Sequence, residues 1–298
     1  MAKGPPTPIT PRPVLEPRDV ETLAYIHSNK FITTRIFHRK FHPNHTFWNA
    51  CLHLRRLVGA GLLLKSQGLP NEDTCYSLTR PALHHLSGIA RILLPREVRS
   101  PHINRQELEH DKRVMGMRVQ IEREEGLGGL TWLSDYEMRC GLRMDWKRAL
   151  EEGRGWDLAG TRLRRLNRRT PDGYFEGALK GVPHAFVLEY EHSAYNRDQI
   201  MGMVLNLHRD FPQAYRLVVC RDKPRAIRML EGVGHLVRSG LERPRWAFSF
   251  LDMADNLPFT RVPWVTPDWA YPPFVKDPIL KVGRSSTSEP GPATEVPA

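Results

Sequence analysis

Thr170-Pro171-Asp172-Gly173 and Phe186-Val187-Leu188-Glu189-Tyr190-Glu191-His192 decide how this chain is read. The first places a carboxylate at a strand start. The second ends an apolar strand in two carboxylates spaced by one. Strand side chains alternate faces with period two, so Glu189 and Glu191 point the same way. If the two strands pair as a hairpin, Asp172 joins them. Carboxylates converging at a strand end form an oxygen-rich site suited to Mg²⁺ or Mn²⁺, ions that assist phosphodiester hydrolysis. A second reading stands beside this one: Pro-Asp-Gly is also a common turn sequence. It is harder to apply to Glu189, because an acid directly after Ala185-Phe186-Val187-Leu188 in a buried strand calls for a reason.

Outward from this pair the pattern stays regular. Gly173 to Leu179 reads as a strand, Lys180-Gly181 as a turn, and Ala185 to Tyr190 as a second strand. Asn196 to Phe211 reads as a helix with Ile200, Met203, Val204 and Leu207 on one face. Tyr215 to Cys220 is a continuous apolar run, the mark of a strand buried on both faces. A helix over Pro224 to Val237 and a strand over Trp246 to Leu251 follow. Upstream, Gln106 to about Glu125 reads as a long helix whose apolar side also holds Asp111, Arg118 and Glu122. Ionised groups on such a side are costly unless paired or ligating. Either Arg118 pairs with Asp111 and Glu122, or one of the acids faces a cleft. Leu130 to Met138 has strand character. The stretch 140–169 has little periodicity and ends in Arg162, Arg164, Arg165, Arg168 and Arg169, either a solvated basic loop or a guide for a nucleic-acid backbone.

The N-terminal third has another rhythm. Helices are expected from Pro17, over Arg35 to Phe41 with Thr33-Thr34 as its cap, and over Thr46 to Val58, ended by Gly59 and Gly61. Strands Leu62 to Lys65 and Cys75 to Leu78 flank a polar loop, and a helix starts near Thr79-Arg80-Pro81. Three helices followed by a β-hairpin is the order of a winged helix-turn-helix. In such modules the third helix enters the major groove. Its exposed side and entry turn are expected to hold His45, Thr46, Asn49 and His53, with Asn49 suited to adenine. Arg35, Arg39 and Lys40 flank it as phosphate contacts. Winged helices also mediate protein contacts, so an adaptor role stays open.

The 298 residues carry 44 Lys plus Arg against 33 Asp plus Glu, a formal net charge of +11. That excess favours a polyanionic partner. No apolar run approaches the roughly 20 residues of a membrane helix, and Met1 to Pro13 is proline-rich without the apolar core of a signal peptide. Cys51, Cys75, Cys140 and Cys220 lack paired spacing, so a reduced, cytoplasmic protein is expected. The expected organisation is a flexible arm over 1–16, a winged-helix domain over 17–87, a linker over 88–104, an α/β domain over 105–265 and an extended tail over 266–298.

The order helix, strand, strand, helix, strand, with acids on the central strands, resembles the PD-(D/E)xK nuclease-like fold, the restriction-endonuclease-like core. Pro171-Asp172 matches its "PD" element, and Glu189-Tyr190-Glu191 stands at its (D/E)-x-K. The resemblance implies that Asp172 and Glu189 bind Mg or Mn. It also implies that Glu122 or Asp111 supplies the acid of the first core helix, and that position 191 orients or activates the attacking water. The family usually has Lys there, and this chain has Glu191. Both halves together are similar to the plasmid replication-relaxation family, through Pro17-Arg18-Asp19, Ile32-Thr33-Thr34-Arg35, Leu54 to Leu62, His110-Asp111 and the acidic motifs. Membership would imply double-stranded DNA as partner in a plasmid or mobile-element setting. Two functions are then expected: a Mg/Mn-dependent DNA endonuclease, or a non-enzymatic DNA-binding regulator whose nuclease-like domain serves as a homodimer contact or DNA clamp.

Overall fold

The computed structural model describes residues 14–66, 73–90, 105–139, 170–191, 196–239 and 246–250. The arm to residue 13, the loop 67–72, residues 91–104 of the expected linker, the stretch 140–169 with its arginines, His192 and the tail lie outside the described residues. The chain is a mixed α/β protein that divides into two compact units, Met1–Met115 and Gly116–Ala298. Among the described residues no helix is long and apolar enough to cross a membrane.

The N-terminal unit begins with α1 (Pro17–Asn29), where Pro sits in the first turn, its fixed φ already helical. A short strand, β1 (Phe31–Thr33), leads into α2 (Thr34–Phe41), which is capped by the Thr33 hydroxyl accepting from the Ile36 N–H at 3.4 Å. Then come α3 (Phe47–Gly59), β2 (Leu63–Ser66), β3 (Cys75–Leu78) and α4 (Arg80–Ala90). Gly61 turns the chain out of α3 with φ 69°, a left-handed conformation that costs glycine little. The strands pair antiparallel in the order β1-β3-β2. Three residues are too few to reveal period-two alternation, so β1 had no signature in the sequence. Leu23, Ile26, Phe31, Phe37, Leu54, Leu57 and Leu86 fill the core.

A long helix, α5 (Arg105–Glu122), carries the division between the units. In the C-terminal unit a five-stranded sheet runs in strict sequence order: β4 (Leu127–Ser134), β5 (Gly173–Leu179), β6 (Val182–Glu191), β7 (Tyr215–Cys220) and β8 (Trp246–Phe250). β5 is antiparallel to both its neighbours, whereas β6, β7 and β8 are parallel. The β5–β6 hairpin closes through Lys180-Gly181, both at positive φ (51° and 79°) between the paired Leu179 and Val182. That is the turn whose twist matches antiparallel strands. The parallel steps are made by α6 (Arg197–Asp210), capped by the Asn196 side chain on the Gln199 N–H, and α7 (Lys223–Arg238), capped by Asp222 on the Arg225 N–H.

The two sheet faces are built differently. Val187, Val218, Trp246 and Phe248 pack with Val204 and Leu207 of α6 and Met229 and Val233 of α7. On the opposite face Trp132 stacks on Phe175, and Phe175 on Phe186, with centroids 5.3 and 4.7 Å apart. The Arg118 guanidinium of α5 lies over Trp132. A side chain at Gly173 would overlap the Trp132 ring. Gly173 is therefore required by strand packing rather than by a turn.

Candidate functional site

Strand parity places the acidic residues. In the β5–β6 register Gly173 opposes Leu188, so Asp172 comes opposite Glu189. Glu189 and Glu191 share the parity of Val187, and Asp172 that of Tyr174, both of which pack on the α6–α7 side. Glu189 and Glu191 thus belong to one sheet face, at the carboxyl end of β6, where open α/β sheets bind ligands, and Asp172 precedes β5 beside them. The Asp172 Oδ2 accepts the Tyr190 backbone N–H at 2.7 Å. It extends the hairpin ladder by one side-chain bond and sits between the two glutamates. Glu189 and Glu191 are each only 1% exposed.

Around Glu191 the sequence reading missed two neighbours. Cys220 is its partner across the β6–β7 ladder, and the Arg221 N–H donates to the Glu191 carbonyl at 3.1 Å. Burial, reinforced by the Glu191 carboxylate, pushes the Cys220 thiol up to about 12, so it stays protonated and is no nucleophile. Arg225, in the first turn of α7, is the cation that opposes this shift. The only sequence signal for this corner is that the apolar run 215–220 breaks abruptly into Arg221-Asp222.

Glu122 of α5 does not join this group. Glu122 is paired with Arg118 at 2.8 Å, and Arg118 lies over Trp132 on the other sheet face. Asp111 pairs with Lys30 and His110, each at 3.3 Å. Burial alone would raise the Asp111 carboxyl, but these two partners hold it below its ordinary value. An all-oxygen donor set suits Mg or Mn. Among the described residues no three His, Cys, Asp or Glu side chains form a group that could hold an ion.

In the N-terminal unit Arg35, Arg39, His45, Thr46 and Asn49 are exposed, and Lys40 is half-buried with its ammonium 5.5 Å from the Tyr25 ring centre. His53 turns inward. Its Nε2–H donates to Asp19 Oδ1 at 2.7 Å, which leaves Nδ1 to accept from His42 Nε2 at 3.1 Å. Asp19 is fully buried, also binds Arg56, and caps α1 by accepting the Glu16 N–H at 3.0 Å. The outward face of α3 instead presents Trp48, Asn49, Leu52, Arg55 and Arg56. Arg165, Arg168 and Arg169 lie outside the described residues.

No family model, curated protein or solved structure matches this chain. Its geometry therefore carries the functional reading unaided.

Proposed function

We propose that this chain is a DNA-binding protein of plasmid or mobile-element type, with an N-terminal winged helix that contacts the duplex and a C-terminal restriction-endonuclease-like domain. The observation that carries the reading is the order α1-β1-α2-α3-β2-β3, with strand order β1-β3-β2 and the outer face of α3 left exposed. That order suits the insertion of one helix into a groove. Arg35, Arg39 and Asn49 stand exposed around it, and the +11 net charge favours a polyanion. For the second domain, support comes from the sequential five-stranded sheet with only its second strand reversed, flanked by α5 before it and by α6 and α7 within it. With Glu191 where the related motif has Lys, the favoured role of this domain is clamping or dimerisation on DNA. Gel shifts test the reading: Asn49→Ala with Arg39→Ala should weaken duplex binding, and unchanged affinity would refute it.

A second reading, Mg- or Mn-dependent nicking, is favoured by one observation: Glu189 and Glu191 are buried on one face at the carboxyl end of β6, with Asp172 bonded to the Tyr190 N–H between them. Burying acids there is costly, and a functional demand would explain it. A plasmid-nicking assay with and without Mn²⁺, comparing wild type with Glu189→Ala, decides between the readings. Metal-dependent nicking lost in the variant would establish the enzyme.

A further inference from the structure

The outer face of α3 is aromatic and cationic, not the polar face of a helix built only to read base edges. Trp48 is 56% exposed, Phe47 and Leu52 46% each, and Leu64 on neighbouring β2 51%. The Arg55 guanidinium lies 5.0 Å from the Trp48 ring centre. Positions 48, 52 and 55 follow at helical spacing and form one stripe. Beside it a pocket of about 420 Å³ opens between the start of α2, α3 and the β2–β3 pair. Arg55 belongs to both stripe and pocket, Phe47 lines the pocket beside it, and Arg35, Lys65, Thr34 and Tyr76 complete the polar wall. The volume falls within the roughly 300–1,000 Å³ of small-ligand sites. Asp73 lines the pocket too, but its carboxylate is engaged by the Arg35 backbone N–H at 2.8 Å. Among the described residues that line it, three cationic side chains thus accompany one acid, already bonded.

We propose that this surface binds unpaired nucleotides of single-stranded DNA, with bases stacking on Trp48 and Phe47 and phosphates held by Arg35, Arg55 and Lys65. Exposed aromatic faces alternating with cations are the chemistry that grips single strands, because every base offers a π-face and every linkage a charge. A protein partner would have to be both apolar and acidic to match the same surface. A nucleotide strand meets both demands in each repeating unit. The inference rests on the N-terminal unit being the DNA-contacting one, and it narrows that contact to opened or single-stranded DNA at α3.

The test uses the full chain, with fluorescence anisotropy on a labelled oligothymidine and on a duplex of equal length. Trp48→Ala should weaken single-strand binding by roughly tenfold, the effect expected of one base–aromatic stack, and by several-fold more than it weakens duplex binding. Trp48→Phe should restore most of the loss, and far-UV circular dichroism should show both variants folded. Equal losses on both substrates, or none, overturn the proposal. So does a Trp48-dependent change in sedimentation without any change in single-strand affinity, which would make the face a protein interface. Duplex affinity insensitive to Asn49→Ala with Arg39→Ala, alongside Trp48-dependent single-strand binding, would refute the winged-helix duplex reading and leave this one standing.

Discussion

Asp172 holds Tyr190: the Asp172 Oδ2 accepts the Tyr190 backbone N–H at 2.7 Å and fixes β5 against the end of β6 between the two buried glutamates. A charge-assisted bond of this kind contributes about 1.5–3 kcal/mol. Asp172→Ala should therefore lower the stability of the C-terminal unit by about that amount in urea titration. Asp172→Asn, which keeps an acceptor, should recover part of it. If nicking is detected and Asp172→Asn abolishes it while the fold holds, the carboxylate acts on the phosphate and not only on Tyr190.

Gly173 admits no side chain, because a Cβ would overlap the Trp132 ring stacked on Phe175. Gly173→Ala should cost about 1–3 kcal/mol, the usual penalty of overpacking, read as a lower urea midpoint. Adding Trp132→Leu should remove part of this penalty, since the two sites are in contact and their effects are not additive.

Arg216 is 1% exposed and serves the end of α6. Its Nη2 donates to the Phe211 carbonyl at 2.5 Å and to that of His208 at 3.4 Å, its Nε to that of Leu207 at 3.4 Å, and the guanidinium lies 5.7 Å from the Trp246 ring centre. The Leu207 and Phe211 carbonyls also accept the backbone N–H groups of Phe211 and Ala214, at 3.0 and 3.3 Å, so Arg216 adds a second, charged donor where the helix ends. Arg216→Met keeps the volume and removes the donors, so a loss of about 1.5–3 kcal/mol is expected from the lost charged hydrogen bonds. Amide exchange of α6 should rise with it.

Acid should loosen the N-terminal unit through His42 and His53. Burial first, then the charges of Arg18, His53, His45 and His38, lowers His42 to about 4. His53 is also held below its ordinary value, mainly by burial and in part by Arg56 and Arg18, against the opposing pull of Asp19. An unfolded histidine takes its proton near pH 6.5. Between that pH and about 4 the unfolded chain binds more protons than the folded one, so stability falls as pH falls through this window. Urea midpoints measured from neutral pH downward should show the decline, and His42→Asn should flatten it.

Much of this architecture was legible in the chain. The strands 75–78, 173–179 and 215–220 have the bounds that apolar patterning gives them, and the cap at Thr33 is a residue expected there. β1 was not legible, because its three residues show no alternation. α3 was assigned as a helix, but its faces were misjudged. His53 looked like a groove-facing residue until Asp19, 34 positions away, drew it inward, while Trp48 and Leu52 proved exposed. Glu122 looked able to join Asp172 and Glu189, yet it lies with Arg118 against the other face of the sheet.

Local rules reach only as far as the period of a helix or strand. From the sequence alone come the acidic pair at 189 and 191, their shared direction, the hairpin turn at Lys180-Gly181 and the basic balance, since each depends on neighbouring residues or on composition. Which face of the sheet those acids occupy was set by the tertiary structure, through the pairing of β6 with β7 and the packing of α6 and α7 over Val187. The Asp172–Tyr190 bond, the inward His53 and the exposed Trp48 were settled there as well. Each joins residues far apart in the chain or depends on what covers them, and burial and charge pairing between such residues exist only once the elements have packed.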